Sequence, residues 1–456
     1  MSLEIIILAA GQGTRMRSTL PKVLHKIGDK PLLEHVHGLA GSLCAAKTSI
    51  VYGHGGEAVL SALTHLPVNW VEQKERLGTG HAVMQLEGEI GDEATVLILY
   101  GDVPLLNRVT VERLLALVSD TSLGLLTVEL ADPHGYGRII RNAEGHVLRI
   151  VEEKDASPEE KMVTEGNTGI LAVNGRQLKT WLGRLENCNA QGEYYLTDVI
   201  AMAVGDGVMI KTTQPTSPDE VLGVNDRSQL AYLERVFQSA AAHSLMQQGV
   251  TLRDPSRLDV RGEGLEIGQD VEIDVNVILE GRVTIGNRVK IGPNTVIRSS
   301  QIGDDVEILE NCVLDQAVVG AGSRIGPFAR LRPDTLLSRN VHVGNFVEIK
   351  KSSVAEGSKI NHLSYIGDSQ VGAGVNIGAG TITCNYDGVN KFQTIIEDGA
   401  FIGSDTQLVA PVRIGRNATI GAGSTITRDA PENRLTLSRT RQTTVDAWQR
   451  PVKKEG

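Results

Sequence analysis

The chain has 456 residues, too many for one hydrophobic core, so we expect two or three domains. Its 45 Lys and Arg against 55 Asp and Glu give a net charge of −10, which argues against non-specific binding to nucleic acid or to an anionic membrane. The 50 glycines and an aromatic content of 4% predict a core of aliphatic side chains, which suits a narrow, repetitive architecture.

The apolar runs are too short to span a membrane, and the first residues lack the pattern of a signal peptide. The cysteines have neither the spacing of a zinc site nor that of a disulfide framework. We therefore expect a cytoplasmic protein whose four thiols are reduced: Cys44, Cys188, Cys312 and Cys384.

Residues 1–226 alternate between strand-like and helix-like segments, which predicts an α/β domain with a mostly parallel, Rossmann-like sheet. The predicted strands are 4–9, 49–52, 68–73, 95–100 and 123–130, and the predicted helices are 79–86 and 109–118. Residues 138–154 predict a hairpin that turns at 142–145.

The first strand runs into the sequence AGQGTRM, residues 10–16. Two glycines after a strand let backbone N–H groups converge on an anion, and Arg15 and Lys22 add positive charge. Met16 replaces the third glycine of a dinucleotide-binding turn, which weakens the case for a dinucleotide-binding fold. No Gly-Lys-Ser/Thr follows, which excludes a Walker loop. An ordinary strand–helix turn remains the alternative.

Asp102 directly follows the predicted strand 95–100. Ligands of open α/β sheets bind at the carboxyl ends of the strands, and a carboxylate there can hold Mg²⁺ against phosphate oxygens. An exposed aspartate in a turn is the plainer interpretation.

Residues 227–248 predict a helix with one apolar stripe, and Gly249 marks its end. From about residue 251 an aliphatic residue recurs every sixth position, as in Ile267, Ile273, Leu279 and Ile285. A period of six fits neither a helix nor a simple strand and is typical of the hexapeptide β-helix. We therefore predict three parts: an α/β domain over 1–226, a helical linker over 227–249 and an all-β parallel β-helix over 250–456.

Three features interrupt this repeat. Residues 384–391 predict an inserted loop, and loops on rigid scaffolds often carry function. A basic tail ends the chain, with Arg439, Arg441, Arg450, Lys453 and Lys454; a disordered tail is the alternative. Polar side chains also cluster in the middle of the repeat, where a solvated face is the alternative: Arg330, Arg332, Lys350, Lys351, His362, Tyr365 and Asn376.

The motifs LAAGQGTRM, Pro21-Lys22, Gly78-Thr79-Gly80 and Tyr100-Gly101-Asp102 resemble the signature of sugar-nucleotide pyrophosphorylases. The motifs HLSY (362–365), NIGAG (376–380), TCNY (383–386) and GSD (403–405) resemble an acetyltransferase site on a left-handed β-helix. Together the two halves resemble the bacterial family of bifunctional uridylyltransferases and acetyltransferases that make UDP-N-acetylglucosamine for cell-envelope polymers.

This resemblance implies one site in each half. In the first half, Arg15 and Lys22 would steady the triphosphate, and Asp102 and Asn225 would bind Mg²⁺. The implied nucleotide-binding residues are Leu8, Ala9, Ala10, Gly11, Lys22, Gln73, Gly78, Thr79, Tyr100, Gly101 and Asp102. The implied sugar-binding residues are Gly137, Glu152, Asn167, Tyr195, Thr197 and Asn225.

In the second half, the resemblance implies that His362 is the general base for the amine, because an imidazole titrates near neutral pH. The implied ligands of the sugar phosphate are Arg332, Lys350, Tyr365 and Asn376, and those of acetyl-CoA are Ala379, Asn385, Tyr386, Ser404, Ala422 and Arg439.

The full prediction is an enzyme that acetylates glucosamine-1-phosphate with acetyl-CoA and then transfers uridylyl from UTP, with Mg²⁺ as cofactor. We expect a homotrimer whose acetyl sites are shared between chains, and no nucleic-acid or membrane partner. Two alternatives stay open at this point: a single-function nucleotidyltransferase with a trimerising β-helix, and a binding module built on an inactive transferase.

Overall fold

The computed structural model describes residues 2–451 and residue 453, so the predicted basic residue Lys454 lies outside the described residues. The chain divides into two compact units between Phe237 and Gln238. Within the described residues, no helix has both the length and the apolar character needed to cross a membrane.

The first unit alternates strands and helices. Its strands are β1 (Leu3–Ala9), β2 (Lys26–Ile27), β3 (Lys30–Pro31), β4 (Lys47–Tyr52), β5 (Asn69–Glu72), β6 (Thr95–Tyr100), β7 (Ser122–Glu129), β8 (Arg138–Arg141), β9 (Val147–Val151), β10 (Glu165–Asn174) and β11 (Met209–Thr213). Its helices are α1 (Leu32–Ser42), α2 (Gly56–Leu63), α3 (Thr79–Met84), α4 (Arg108–Leu115), α5 (Gly175–Leu182) and α6 (Asp198–Gly205), and α7 (Arg227–Gln247) continues into the second unit.

The main sheet has the strand order β11-β7-β10-β6-β1-β4-β5. Every neighbouring pair is parallel except those of β10, which runs antiparallel to both β6 and β7. The predicted mostly parallel α/β sheet is confirmed, and so is the predicted hairpin, which β8 and β9 form and which joins this sheet through the pairing of β8 with β10.

Strand β1 is apolar on both faces because the sheet is covered on both sides. Ile5 and Ile7 pack into one hydrophobic cluster, and Ile6 and Leu8 pack into the other. Leu8 also pairs with Tyr100 of β6, so the carboxyl ends of β1 and β6 lie side by side. The glycine-rich turn and the Asp102 segment therefore leave the sheet as neighbours.

The second unit is a three-sided parallel β-helix, which confirms the prediction from the six-residue period. Its first face consists of Thr251–Leu252, Glu272–Ile273, Lys290–Ile291, Glu307–Ile308, Arg324–Ile325, His342–Asn345, Lys359–His362, Asn376–Ile377, Phe401–Ile402, Thr419–Ile420 and Leu435–Thr436. Its second face consists of Leu258–Arg261, Val277–Glu280, Val296–Arg298, Val313–Asp315, Arg330–Leu331, Glu348–Lys350, Tyr365–Gly367, Ile382–Cys384, Gln407–Val409 and Thr425–Ile426. Its third face consists of Glu266–Ile267, Thr284–Ile285, Gln301–Ile302, Ala317–Val319, Thr335–Leu337, Ser352–Val354, Ser369–Val371, Thr394–Ile396 and Val412–Ile414.

Each short strand of this prism points one aliphatic side chain inward. Ile291 stacks on Ile273 below and Ile308 above, and all three are buried. The described core of this unit contains aliphatic residues and Cys312 but no aromatic ring, as the composition predicts. The interior is too narrow for rings, so the repeat itself sets the side-chain size.

Helix α7 covers most of the predicted linker. Leu233 in its first half is buried against Met16, Ile27 and Leu32 of the first unit. The boundary between the two units falls inside this helix, so the predicted domain limits at 226 and 249 stay a prediction.

Candidate active sites

A cavity of about 490 Å³ opens at the carboxyl ends of the parallel strands β1, β5 and β6. All of the predicted nucleotide-binding residues line this cavity except Gly101. A Cβ on Gly101 would lie 3.0 Å from Leu33 Cδ1, so this residue faces the core. Arg15 does not line the cavity either, and its side chain is exposed.

The two glycines of the first turn differ in what they allow. Gly13 has a φ of 61°, and a Cβ on it would lie 2.7 Å from Lys22 Cβ, so this glycine makes room for the lysine. A Cβ on Gly11 would meet nothing within 4 Å, and this residue faces the cavity. Met16, at the position of the missing third glycine, is 1% exposed and belongs to a small core cluster.

Lys22, Asp102 and Asn225 meet at one end of this cavity. The Lys22 ammonium forms an ion pair with Asp102 and lies 3.3 Å from Asn225 Oδ1. Both side chains of the ion pair are largely buried, at 12% and 17% exposure. The backbone N–H of Val224 donates to the carbonyl of Asp102 at 2.9 Å, which fixes the Asn225 segment beside the aspartate.

The oxygens of Asp102 and Asn225 suit Mg²⁺. Within the described residues no group of three or more His, Cys, Asp or Glu side chains could hold a metal ion, so the protein supplies few ligands here. Mg²⁺ typically takes one or two carboxylates and completes its shell with water and substrate phosphates. One carboxylate and one amide oxygen beside an open cavity of about 490 Å³ therefore fit this ion.

Gln73 also lines the cavity and is 4% exposed. Its side-chain amide donates to the Gly78 carbonyl at 3.1 Å and lies 3.1 Å from His81 Nδ1. Gly78 has a φ of 108°, and a Cβ on it would lie 2.6 Å from the Tyr194 carbonyl oxygen. The hydrogen bonds of Gln73 and the close approach of Gly78 to Tyr194 thus fix the position of this loop at the cavity.

A second cluster contains four of the predicted sugar-binding residues. Thr197 Oγ1 donates to Glu152 Oε1 at 3.0 Å, and the backbone N–H of Asn167 donates to the Gly137 carbonyl at 2.8 Å. A Cβ on Gly137 would lie 3.5 Å from Glu152 Oε2, which ties the two pairs together. Tyr195 is buried, but its hydroxyl accepts from Gln191 and faces Asp155 instead.

Burial raises the pKa of two titratable groups near this cluster, Tyr100 and Glu152. It raises the pKa of Tyr100, assisted by the carboxylates of Glu152 and Asp102, so the phenol stays neutral and can donate a hydrogen bond. It also raises the pKa of Glu152, against the opposing hydrogen bond from Thr197. The Glu152 carboxyl therefore loses its proton less readily than an exposed glutamate.

In the β-helix, His362 ends a strand of the first face and is exposed. Its Nδ1 lies 2.7 Å from Oδ1 of Asn345, which occupies the same position one coil earlier. An amide oxygen can only accept, so His362 Nδ1 carries the proton in this contact and Nε2 is left with a lone pair. This is the tautomer that a general base needs.

The basic residues predicted for a sugar phosphate lie together on the second face. Arg332 donates to Glu348 Oε1 at 2.8 Å. Lys350 and Tyr365 lie on neighbouring parallel strands of this face, in which Glu348 is in register with Tyr365 and Lys350 with Gly367. Lys391 from the inserted loop lowers the pKa of Lys350 by hydrogen bonding and charge repulsion, with desolvation contributing. Lys350 and Lys391 therefore concentrate positive charge beside this face, which favours the binding of an anion.

Asn376, the remaining predicted sugar ligand, is not part of this group. It lies on the first face, in register with Lys359, whereas Lys350 and Tyr365 lie on the second. A single chain therefore does not bring the four predicted ligands onto one face.

The predicted acetyl-CoA residues fall into two groups. Asn385 and Tyr386 begin the inserted loop, where the Asn385 amide donates to Asp368. Successive coils stack the others at one corner, as the hydrogen bonds from Asp405 N to the Ala379 carbonyl (2.7 Å) and from Gly423 N to the Ser404 carbonyl (2.8 Å) demonstrate. The residues of this corner are Ala379, Ser404 and Ala422, with Arg439 alongside Gly421 and Gly423.

Sequence reasoning missed several residues at these sites. Asn345 precedes His362 by one coil of 17 residues, so the repeat spacing could have identified it. No sequence signal pairs Lys391 with Lys350, because the inserted loop interrupts the repeat. Gln12 lines the first cavity and lies inside the glycine-turn motif, but no role was predicted for it, and Arg76 and Glu193 line the cavity without belonging to any motif used above.

Comparison with known proteins covers both units. Residues 5–150 match the MobA-like NTP transferase domain, residues 263–345 match the GMPPB C-terminal domain, and residues 393–428 match the bacterial transferase hexapeptide (six repeats).

Relatives match over the full length. The Bifunctional protein GlmU of Methylococcus capsulatus (strain Bath) is 68% identical over 453 residues, which is 99% of this chain and 98% of the relative. The protein of the same name from Stutzerimonas stutzeri is 57% identical over 454 residues and that from Azoarcus sp. 56% over 451 residues, in each case with at least 99% of this chain and 100% of the relative covered.

Proposed function

The chain belongs to the family of bifunctional GlmU proteins, and from this premise we propose how its two sites divide the two reactions of that family. The first unit is the UDP-N-acetylglucosamine pyrophosphorylase, and the second is the glucosamine-1-phosphate acetyltransferase. The observation that carries the proposal is that one chain holds both a cavity of about 490 Å³ with the Lys22–Asp102–Asn225 cluster and, on the β-helix, a His362–Asn345 pair and a group of basic side chains. The domain limits proposed are 1–226, 227–249 and 250–456.

In the first reaction site, a phosphate oxygen of N-acetylglucosamine-1-phosphate attacks the α-phosphorus of UTP in line, and pyrophosphate leaves. Such transfer depends on positioning and charge neutralisation. Asp102 and Asn225 would hold Mg²⁺, which when bound neutralises phosphate oxygens. Lys22 would turn its ammonium to the phosphates, while Glu152, Asn167 and the Gly137 backbone would hold the sugar.

In the second site, His362 Nε2 would take a proton from the amine of glucosamine-1-phosphate as that amine attacks the acetyl thioester carbonyl. The tetrahedral intermediate then expels the thiolate of coenzyme A, which recovers the proton. The N–H that His362 donates to Asn345 keeps the imidazole in the required tautomer. Arg332, Lys350 and Lys391 would pair with the sugar phosphate.

We propose a homotrimer because three apolar side chains stand exposed at one corner of the β-helix. Phe328, Phe346 and Leu363 are 48%, 56% and 62% exposed and all have left-handed backbone, with φ of 55°, 55° and 50°. The preceding corners carry Asn294 and Asn311, which tolerate this conformation well. Bulky apolar residues replace them where further copies of the chain would cover them, and a neighbouring copy would also supply the missing Asn376.

The same proposal sets acetylation before uridylyl transfer, because N-acetylglucosamine-1-phosphate is the product of one site and the substrate of the other. Cytoplasmic location follows from the supply of UTP and acetyl-CoA in that compartment.

Two variants, each assayed for both reactions, test the proposal. Asp102→Ala should reduce UDP-sugar formation by about 10³-fold or more and spare acetyl transfer, because it removes the charged metal ligand. His362→Ala should reduce acetyl transfer by about 10²–10⁴-fold and spare uridylyl transfer. A wild-type chain without acetyltransferase activity would instead support a single-function nucleotidyltransferase with a structural β-helix.

A further inference from the structure

We propose that Arg76, which no motif assigned, binds the phosphates of UTP that leave as pyrophosphate. This inference rests on the proposed uridylyl transfer in the first unit. It concerns the loop between β5 and α3, whose Gln73 and Gly78 line the base side of the same cavity.

The charges around the cavity are the first observation. Four charged side chains line it: Lys22, Arg76, Asp102 and Glu193. Lys22 is already paired with Asp102, and Glu193 acts on the sugar side, where it helps to raise the pKa of Glu152. Within the part of the chain that the structure describes, no carboxylate pairs with Arg76. Arg76 is therefore the lining cation whose charge is left for an incoming anion.

The position of its guanidinium is the second observation. With the Gln12 amide oriented so that its oxygen faces Arg76, that oxygen lies 2.9 Å from both terminal nitrogens of the guanidinium. Gln12 belongs to the glycine turn after β1, and β4 lies between β1 and β5 in the sheet. Arg76 therefore reaches over the end of β4 to the turn whose backbone is open at Gly11.

A neutral amide is a suitable resting partner for such a group. It fixes the guanidinium without neutralising it, and a triphosphate oxygen is a stronger acceptor than an amide oxygen. Arginine presents two parallel N–H donors to phosphate, a geometry that lysine lacks. When UTP binds, Arg76 would exchange Gln12 for the phosphates beside the glycine turn.

The test compares Arg76→Gln and Arg76→Lys with a matched control, Lys74→Gln, which removes an equal charge from the same loop at an exposed position outside the cavity lining. We expect Arg76→Gln to raise KM for UTP and the inhibition constant of pyrophosphate by about 10-fold to 100-fold. Arg76→Lys should lie between, and Lys74→Gln should match wild type. The inhibition constant of uridine, which has no phosphate, should not change in any variant.

An unchanged inhibition constant of uridine reports that the first unit of each variant is folded, and acetyl transfer by the same samples reports on the second unit. The inference is overturned if Arg76→Gln handles UTP and pyrophosphate as Lys74→Gln does, or if it weakens uridine as much as UTP, which would put Arg76 on the base. A wild-type chain that makes no UDP-sugar from UTP would overturn the proposed function as well, so the two failures are distinguishable.

Discussion

At the scale of single residues, Glu152 illustrates how the fold changes the chemistry of a side chain. It is half-buried, and Asp198, Asp155 and Glu193 add repulsion to the effect of burial, so its pKa is raised. The single hydrogen bond from Thr197 only partly offsets this. An ionised Glu152 thus lowers the stability of the fold as long as Thr197 is its only hydrogen-bond donor.

This reasoning predicts a pH-dependent gain from Glu152→Gln. Because folding raises the pKa of Glu152, the stability from this group is present at low pH and is lost as the pH rises through the raised value. Glutamine keeps an acceptor for Thr197 and carries no charge. The thermal unfolding midpoint of the first unit should therefore exceed that of wild type at pH 8, with an advantage that narrows toward pH 5.

The exposed Glu159→Gln is the matched control and should leave the midpoint unchanged. A gain from Glu152→Gln that is equal at pH 5 and pH 8 would contradict an electrostatic origin. The same variant should raise KM for N-acetylglucosamine-1-phosphate if Glu152 binds the sugar.

At the scale of elements, the turn after β1 combines two demands that sequence patterns do not separate. Gly13 is needed by the fold, because its backbone is left-handed and Lys22 packs against it. Gly11 is not needed by the fold, since space for a side chain is open there. We therefore attribute the glycine at position 11 to the ligand that the cavity would receive.

Gly13→Ala should therefore affect stability, whereas Gly11→Ala should affect substrate binding. Gly13→Ala should lower the free energy of unfolding by about 1–3 kcal/mol, because alanine is strained at this φ and its methyl group meets Lys22. Gly11→Ala should leave the unfolding midpoint unchanged but raise KM for UTP. Thermal denaturation and uridylyl-transfer kinetics on both variants make the comparison. Equal loss of stability in the two variants would contradict it.

At the scale of the whole molecule, the proposed trimer would bring together side chains that the β-helix of one chain holds on different faces. One chain supplies His362, its orienting Asn345 and a basic cluster, but Asn376 lies on a different face from Lys350. The exposed corner of Phe328, Phe346 and Leu363 is the surface that association would cover.

Replacing both Phe328 and Phe346 by Asp should produce a monomer in sedimentation experiments. Aspartate already occupies left-handed corners at Asp305 and Asp405, so the coil itself should tolerate the change. Acetyl transfer should fall by at least about tenfold, because the monomer would lack the side chain that a neighbouring copy supplies to the site. Uridylyl transfer should persist. Asn311→Asp, one coil away at the same corner, should change neither mass nor activity, and a trimeric double variant would contradict the proposed interface.

Several features could be predicted from local sequence alone because their physical cause is local. The six-residue period predicts the β-helix, since each of the three faces of a coil needs one inward aliphatic residue, and the core confirms it. The strand before the glycine turn and the strand before Asp102 are likewise short-range patterns, and both appear as β1 and β6. Family motifs then indicated which side chains to expect around the first cavity, and most of them line it.

The sequence by itself determined the two architectures, the connecting helix and the residue types of both sites, because periodicity and turn chemistry act over a few residues. Only the tertiary structure decided that β10 runs against its neighbours, that Lys22 meets both Asp102 and Asn225, that Lys391 approaches Lys350 and that Gln12 meets Arg76. The last three contacts join residues that are distant in the chain or lie in loops without a period. Their partners are fixed by how sheets and coils stack, and no local pattern encodes that.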